Sequence, residues 1–274
     1  MLIGPRRTSR LQLAGYTILL IFSAIAVFAE LIAPYDPTLS GTPYLPPSIT
    51  HPLGTNDIGQ DVLSELIYAS RVSLTIGFLA GMISIIIGTG AGLLAGYYRG
   101  WVEEIVMATA DVFLLIPGLP LMIILAAYLS PSMWNIILVV GLLWWTSTAR
   151  LVHSRVLQVR EMPFVEASKA LGCRDGYIIF RYLLPNTIDV IFAKLQLAVA
   201  QAMLTEASLS FLGLGDPLKI SWGEMIHFAF SRGGFAGDMW WWYLPPGLMI
   251  CASVMGFVLI SMPQKRHSKI DNIL

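Results

Sequence analysis

Six long apolar stretches alternate with polar segments along the chain. They cover residues 11–33, 72–98, 105–130, 134–152, 188–214 and 240–262. At about 1.5 Å per residue, a helix of such a length approaches or exceeds the ~30 Å hydrocarbon core of a bilayer. Helices satisfy their own backbone hydrogen bonds in lipid, and the short alternating segments typical of a membrane barrel are absent from the sequence. The pattern predicts an all-α polytopic membrane protein with six transmembrane helices.

Two polar segments are long enough to form structure of their own. Segment 34–71 carries six prolines in its first half, which predicts an extended, irregular chain there. Its second half, 57–70, has apolar residues near helical spacing, and this favours a short amphipathic helix lying at the membrane interface. Segment 153–187 is the most charged part of the chain, and Pro163 suits the first turn of a helix within it.

Small residues and prolines add detail inside these elements. Gly88, Gly92 and Gly96 recur every four residues, which predicts a small helix face that allows close helix packing. Pro117, next to Gly118, predicts a kink in the third stretch. Near the charged segment, we expect Gly172 and Gly176 to end or turn one helix, and Pro185 to end the next.

Composition and charge distribution agree with a membrane protein and orient it. The 274 residues are 56% apolar and only 12% charged, about half the charge of an average soluble domain. Thirteen of the 17 Lys and Arg residues fall in one set of loops and termini, against three in the other set. The positive-inside rule therefore predicts that both termini are cytoplasmic, in a cell membrane. This divides the chain as follows: residues 1–33, cytoplasmic terminus and first helix; 34–71, external loop; 72–262, a five-helix core with a cytoplasmic loop at 153–187; 263–274, cytoplasmic tail.

Catalytic and cofactor motifs are missing from the sequence. The glycine-rich run 88–92 has no lysine and lies in an apolar stretch, so it cannot hold a phosphate, and no GxxxxGK[ST] occurs elsewhere. The four histidines and two cysteines show no metal-ligand spacing. We expect no metal site, no cofactor, no nucleic-acid partner and no enzymatic activity in this chain.

The charged segment 153–187 carries a specific motif. Glu166-Ala167-Ser168-Lys169-Ala170-Leu171-Gly172 is followed, after nine residues, by Tyr182-Leu183-Leu184-Pro185. This resembles the EAA loop of ABC importer permeases, although Ser168 and Tyr182 replace that pattern's second alanine and its isoleucine. The alternative interpretation is an ordinary solvated loop between membrane helices.

Other motifs resemble one branch of those permeases, the dipeptide/oligopeptide/nickel family, and in particular its C-type partner. They are His51–Asp61, Ser210–Gly215, Trp222-Gly223, and Trp240–Tyr243 followed by Pro245-Pro246-Gly247. Asn56 and Gln60 depart from the Asp and Arg of that family. The likeness runs from about residue 51 to 250.

The resemblance implies a type I ABC importer permease fold and ATP-driven import of di- or oligopeptides by alternating access. It also implies four partners: a homologous second permease, two ATPase subunits that hold ATP and Mg, and an external substrate-binding protein. Nickel or a chelated metal is the alternative cargo within the family. A secondary transporter is the alternative from another class, but the sequence shows no inverted repeat.

Specific residues receive roles from these interpretations. The helix that docks on the ATPase would use Phe164, Glu166, Ala167, Ser168, Lys169, Leu171, Gly172, Leu184 and Pro185. Candidates for the substrate path are Glu206, Asp111 and Pro117, although both acids can equally serve structural contacts. Asp189 and Lys194, at the inner end of the fifth stretch, can snorkel toward the membrane surface. Candidates for binding-protein contact are Thr55, Asn56, Asp57 and Asp61, unless segment 34–71 is only a lid or spacer.

Overall fold

Helices dominate the chain. The structure is a computed structural model that describes residues 10–262; the predicted cytoplasmic tail at 263–274 lies outside the described residues. The helices are α1 (Arg10–Val27), α2 (Ala29–Ile32), α3 (Val62–Tyr98), α4 (Gly100–Leu115), α5 (Gly118–Tyr128), α6 (Met133–Leu143), α7 (Trp145–Arg160), α8 (Pro163–Ala170), α9 (Asp175–Ile178), α10 (Leu184–Leu209), α11 (Trp222–Ser231) and α12 (Trp240–Ser261). Between residues 10 and 262, β-pairing is limited to one isolated antiparallel bridge, Thr55 with Asp61. The predicted all-α class is confirmed.

Five segments of the described chain are long and apolar enough to cross a membrane: Arg10–Val27, Val62–Tyr98, Met133–Arg160, Asp175–Leu214 and Trp240–Ser261. The pair α4 and α5 makes a sixth if it counts as one broken span, because the two helices meet at an angle of 86°. Proline causes this break: Ile116 precedes Pro117 and is extended, at φ −81° and ψ 128°, as the residue before a proline prefers. The kink predicted at Pro117 is confirmed, and it is sharp.

The prediction of a separate interfacial helix over 57–70 was wrong. Residues from Val62 onward belong to α3, which runs without interruption for 37 residues, because no proline separates Ser70 from the apolar stretch that follows. Most of its first turns are buried in the protein, including Ser64 and Glu65, so they do not lie on a lipid surface.

The predictions of where helices end within the charged segment 153–187 were partly wrong. Gly172 does end α8, with φ +76°, in the left-handed region that glycine favours. Gly176, however, lies inside α9, and Pro185 lies in the first turn of α10. The chain passes between these two helices through a π-helical turn, Ile179–Leu183, in which the N–H of Leu184 bonds to the carbonyl of Ile179, five residues back. This wider turn accommodates a proline that would otherwise break the helix.

The two ends of the molecule differ in content. Arg71, near the start of α3, donates to the carbonyls of Ala26 (2.6 Å) and Val27 (3.0 Å) at the end of α1, so α1 and α3 are antiparallel. The amide of Gln12 donates to the carbonyl of Met262 (2.9 Å), which brings both ends of the described chain together. We call the end with Gln12, Met262 and α8 the basic end, and the end with residues 34–61 the opposite end.

Helix α3 is the central helix, and it packs against both α7 and α10. Its predicted small face lies against α7: a Cβ on Gly92 would stand 2.6 Å from the carbonyl oxygen of Ala149, and one on Gly96 would stand 2.7 Å from Cγ1 of Val156. Gly88 meets the backbone of Trp145 in the same way. The backbone of α3 therefore lies directly against α7 over about two helical turns, where α3 has no room for side chains of its own.

We expect Gly92→Leu to disrupt this contact. Overpacking a filled interface typically costs about 1–3 kcal/mol and occasionally more, and here the obstacle is backbone that cannot turn aside. The measurement is the thermal stability and yield of the purified complex in mild detergent. Gly90→Leu is the matched control, because a Cβ on Gly90 has nothing within 4 Å. Equal behaviour of the two variants would show that the close packing of α3 and α7 is not needed.

Candidate functional site

Helix α8, at the basic end, has an inner and an outer face. Val165 is fully buried and Ser168 is nearly so, and both point toward the rest of the chain. The outer face carries Phe164, Ala167 and Leu171, all exposed, with 84% of Leu171 accessible. An apolar stripe at i, i+3 and i+7 is normally the buried face of a helix. Its exposure here makes this face a candidate docking surface.

Beneath α8 lies an apolar cluster that joins it to the membrane helices. Its buried members are Leu93, Tyr97, Val152, Val156, Val159, Val165, Ile178, Ile179 and Leu183. They come from α3, α7, α8, α9 and the π-helical turn. Helix α8 therefore packs, through Val165, on the same apolar cluster as the ends of α3 and α7.

Polar contacts hold the same base. The hydroxyl of Tyr97, at the end of α3, donates to Oδ1 of Asp175 over 2.6 Å. The ammonium of Lys169 lies over the Tyr97 ring, 4.9 Å from its centroid, and so contributes to anchoring α8. Burial lowers the pKa of Lys169, and the nearby Arg160 lowers it further. Glu166 is exposed on α8 and acts on Lys169 only through space, in the direction that raises its pKa.

The second half of the motif extends the exposed face with aromatic rings. Tyr182, where the resemblance led us to expect isoleucine, lies 5.8 Å from the ring of Phe164 and 5.8 Å from that of Tyr177. Leu184 is half-buried beside them, and Pro185 is exposed. The departure from the family pattern thus adds apolar surface next to α8.

The structure gives the acidic candidates for the substrate path structural partners. Asp111 on α4 forms an ion pair with Arg150 on α7. Glu206 on α10 is 1% exposed and accepts a 2.8 Å hydrogen bond from Ser210. Ser221, before α11, bonds to it as well. Both carboxylates are thus engaged within the chain. The third candidate, Pro117, stands at the break between α4 and α5, beside a cavity of about 120 Å³ lined in part by Ile116 and Gly118.

At the opposite end, the residues proposed for binding-protein contact are buried, and that prediction was wrong for three of them. Thr55, Asn56 and Asp61 are at most 3% exposed, because they hold segment 34–61 together. Asp61, for example, accepts from the N–H of Ser64 (2.8 Å) and caps α3.

The other bonds of this group are equally internal. Thr55 Oγ1 donates to the carbonyl of Thr42 (2.8 Å), and Asn56 donates to the carboxylate of Glu65 (3.3 Å). Asp57 keeps a partly accessible side chain, but it pairs with Arg232 at 2.7 Å. The sequence interpretation took the polar side chains of this external segment as a sign of contact with a partner. In the structure these side chains form hydrogen bonds within the segment and with the start of α3.

Sequence reasoning missed a cavity of about 410 Å³ at membrane depth. It lies among α3, α7, α10 and α12, and its lining includes Ser84, Trp144, Ser147, Lys194 and Gln201. The spacing of these residues gives no hint that they meet, because they come from four separate parts of the chain.

The fold is that of a type I ABC importer permease. The structure matches a solved structure described as inward-facing conformations of the MetNI methionine ABC transporter, with a TM-score of 0.56 and 18% identity. The match covers 72% of this chain and 94% of that one.

Sequence comparison identifies the family. Residues 88–263 match the family described as binding-protein-dependent transport system inner membrane component, and residues 7–47 match the N-terminal TM domain of oligopeptide transport permease C. The chain belongs to this family of inner-membrane transport components.

Its relatives include the dipeptide transport system permease protein DppC of Alkalihalophilus pseudofirmus, 35% identical over 93% of this chain and 84% of that protein. The glutathione transport system permease protein GsiD of Pectobacterium atrosepticum is 33% identical over 90% of this chain and 82% of that protein. The oligopeptide transport system permease protein OppC of Bacillus subtilis is 33% identical over 93% and 83%.

Tyr97→Phe tests the polar anchor of α8. The variant loses the hydrogen bond to Asp175 but keeps the ring under Lys169. A bond of this kind contributes about 1 kcal/mol, so amide hydrogen exchange in α8 and α9 should quicken roughly fivefold. Tyr98→Phe is the control, because Tyr98 is the exposed neighbour of Tyr97. Unchanged exchange in Tyr97→Phe would mean that the apolar cluster alone fixes α8.

Proposed function

We propose that this chain is one of two permease subunits that enclose the path of an ATP-driven importer of di- and oligopeptides. The observation that carries the proposal is the exposed apolar stripe of α8, standing on a packed base at the ends of membrane helices. In the proposed assembly, two ATPase subunits bind at the basic end and hold the ATP and Mg. A homologous permease lies beside this chain, and a binding protein delivers substrate at the opposite end.

The stripe suits a groove on a soluble partner. Phe164, Ala167 and Leu171 enter the groove, and the exposed Glu166 lies at its polar rim. Closure of the ATPase pair on binding ATP pushes α8, and the apolar cluster carries the movement into α3 and α7. The two permeases then change between inward- and outward-open states.

Orientation follows from charge and from the shared position of the two chain ends. Most of the basic residues between positions 10 and 262 fall at the α8 end, and Gln12 bonds to Met262 there. The positive-inside rule supports a cytoplasmic location for this end and for both termini.

Peptides are the proposed substrates because the relatives reported above are named for dipeptide, glutathione and oligopeptide transport. The experiment is reconstitution of the chain with its partner permease, ATPases and binding protein in vesicles. We expect ATP-dependent uptake of a labelled dipeptide. Absence of uptake for every peptide tested, with assembly intact, would reject the proposal.

Leu171→Asp is the variant that tests ATPase docking. It places a charge at the C-terminal end of the apolar stripe, and because Leu171 is 84% exposed and makes little contact with its own chain, folding should be unaffected. We expect peptide uptake to fall at least tenfold and ATP hydrolysis to lose its stimulation by the loaded binding protein. Leu171→Met keeps an apolar side chain and serves as the control. Full coupling in Leu171→Asp would remove α8 from the docking site.

The surface for the binding protein must be redefined, since three of the polar candidates are buried. Segment 34–61 exposes apolar side chains instead, among them Leu39 at 65% and Ile49, which is fully exposed. Leu218, at the same end, is 92% exposed. We infer that these residues supply the contact, and that the buried residues Thr55, Asn56 and Asp61 support it from within.

Cysteine labelling tests whether the exposed apolar residues of segment 34–61, rather than its buried polar residues, contact the binding protein. In a chain without Cys173 and Cys251, Ile49→Cys should react with an impermeant thiol reagent added outside, and the loaded binding protein should slow the reaction several-fold. Thr55→Cys is the buried control and should react far more slowly. Reaction of Ile49→Cys only from the cytoplasmic side would reverse the topology. Outside labelling that ignores the binding protein would keep the topology but remove the docking role.

A further inference from the structure

Another cavity, also of about 410 Å³, lies at the opposite end of the molecule, and we call it the outer pocket. It is bounded by the start of α3, by residues 36–38 of the external segment and by residues 218–220, which precede α11. Leu218, which we have assigned to the surface for the binding protein, is part of its lining. The outer pocket therefore adjoins the surface on which that partner would dock.

Glu65, in the first turn of α3, is the buried acid of the outer pocket. It is 3% exposed, and its carboxylate oxygen Oε2 accepts a hydrogen bond from the side-chain amide of Asn56 over 3.3 Å. The other oxygen, Oε1, has no hydrogen-bond partner within residues 10–262, yet it is not sealed off from solvent. Because Glu65 lines the outer pocket, this oxygen is open to a group that enters the pocket.

Two guanidinium groups near Glu65 are already engaged. Arg71, in the same lining, pairs with Glu30 at 2.9 Å and also donates to carbonyls at the end of α1. Arg232 pairs with Asp57 at 2.7 Å. In the part of the chain that the structure describes, no ion pair includes Glu65. A buried carboxylate without a cation is unfavourable, because nothing replaces the water that it has lost.

The remaining charges of the lining are opposite in sign. Lys219 and Asp36 are both exposed, so water solvates them and they contribute little net charge together. Glu65 is thus the charge that the outer pocket leaves uncompensated.

A departure from the family pattern removes a cation from this place. The resemblance described above places an arginine at position 60, where this chain has glutamine. Gln60 lines the outer pocket, and its side-chain oxygen accepts a 3.0 Å hydrogen bond from the same Asn56 amide that bonds to Glu65. An uncharged amide therefore stands where that family has a guanidinium.

The lining defines the kind of group that would complete this site. The group needs a positive charge for Oε1 of Glu65 and an apolar stem, because Ala69, Val72 and Ile220 supply apolar wall. Lysine and arginine side chains combine a charged head with such a stem. Charge pairs across an interface select among partners, and those that lose their water on binding change the affinity most.

We propose that the outer pocket receives a lysine or arginine side chain of the binding protein, whose charged head bonds to Oε1 of Glu65. The inference rests on the proposed function, because it takes a binding protein as the partner at this end. It adds a basis for selection: a binding protein without a basic side chain at this point docks less tightly.

The test measures the dissociation constant, Kd, of fluorescently labelled binding protein for the complete transporter in lipid nanodiscs. Glu65→Gln keeps the shape of the side chain and removes its charge. We expect the Kd to rise about tenfold, as for the loss of one charge-assisted bond, and to depend less on salt. Saturating binding protein should restore ATP hydrolysis. Asp238→Asn, which removes an exposed carboxylate in the loop before α12, is the control and should keep the wild-type Kd.

A second pair of variants covers the case in which Glu65→Gln does not assemble. Gln60→Arg leaves Glu65 in place and supplies a cation from within the chain, so it should raise the Kd about tenfold. Gln60→Glu adds a negative charge at the same position and should lower the Kd. Equal weakening by both variants would show an effect of structure rather than of charge, and it would contradict the inference.

The remaining outcomes separate the sources of the charge. An unchanged Kd in Glu65→Gln overturns the inference. The binding protein is measured both empty and loaded with peptide, because the N-terminal ammonium of the peptide carries the same charge. If only the loaded form loses affinity, the peptide occupies the outer pocket, and the inference is again overturned. A wild type that neither binds the binding protein nor takes up peptide rejects the proposed function itself.

Discussion

The close approach of α3 and α7 governs the arrangement of this molecule. Gly88, Gly92 and Gly96 bring the two backbones into contact, so the helices behave as one unit from the middle of the membrane to the basic end. In lipid there is little hydrophobic gain from bringing helices together, and dense packing of small residues supplies the attraction instead. The same helix presents Gly77 and Gly81 to α10, where Met203 and Val199 fill the space. Three membrane helices are thereby fixed to each other around α3.

This rigid group connects the two functional surfaces. Its ends at the basic side, Tyr97 of α3 and Val156 of α7, belong to the cluster on which α8 rests. Its middle supplies Ser84 and Ser147 to the cavity among α3, α7, α10 and α12. A displacement of α8 therefore moves the helices that line the cavity, without any flexible segment between them. Packed cores respond to such a push by shifting as bodies rather than by deforming, which is the behaviour that alternating access requires.

Periodicity and apolar length predicted the elements whose cause is local. The all-helical class, the break at Pro117 and the helix that starts at Pro163 each follow from the residues present at that point. The interfacial helix over 57–70 failed because nothing in the sequence showed that its neighbour, the long stretch after Val72, would extend the same helix. The prediction that Pro185 ends a helix failed for a related reason. A π-helical turn before Pro185 lets the helix continue, and only the hydrogen-bond pattern of the folded chain reveals that turn.

Polar residues were harder to assign, because a polar side chain can face a partner or satisfy its own chain. Asn56 and Asp61 looked like an external contact surface, yet they tie one loop to the start of α3. Glu206 and Asp111 could line the path or make structural contacts, and each finds a partner within the fold. Lys194 illustrates another limit: it lines a cavity with residues of α3, α7 and α12 that are far from it in the sequence. In each case the fold decides which groups the polar residue meets. The type of each polar side chain can be read from the sequence, whereas its partner is set by which helices the fold brings together.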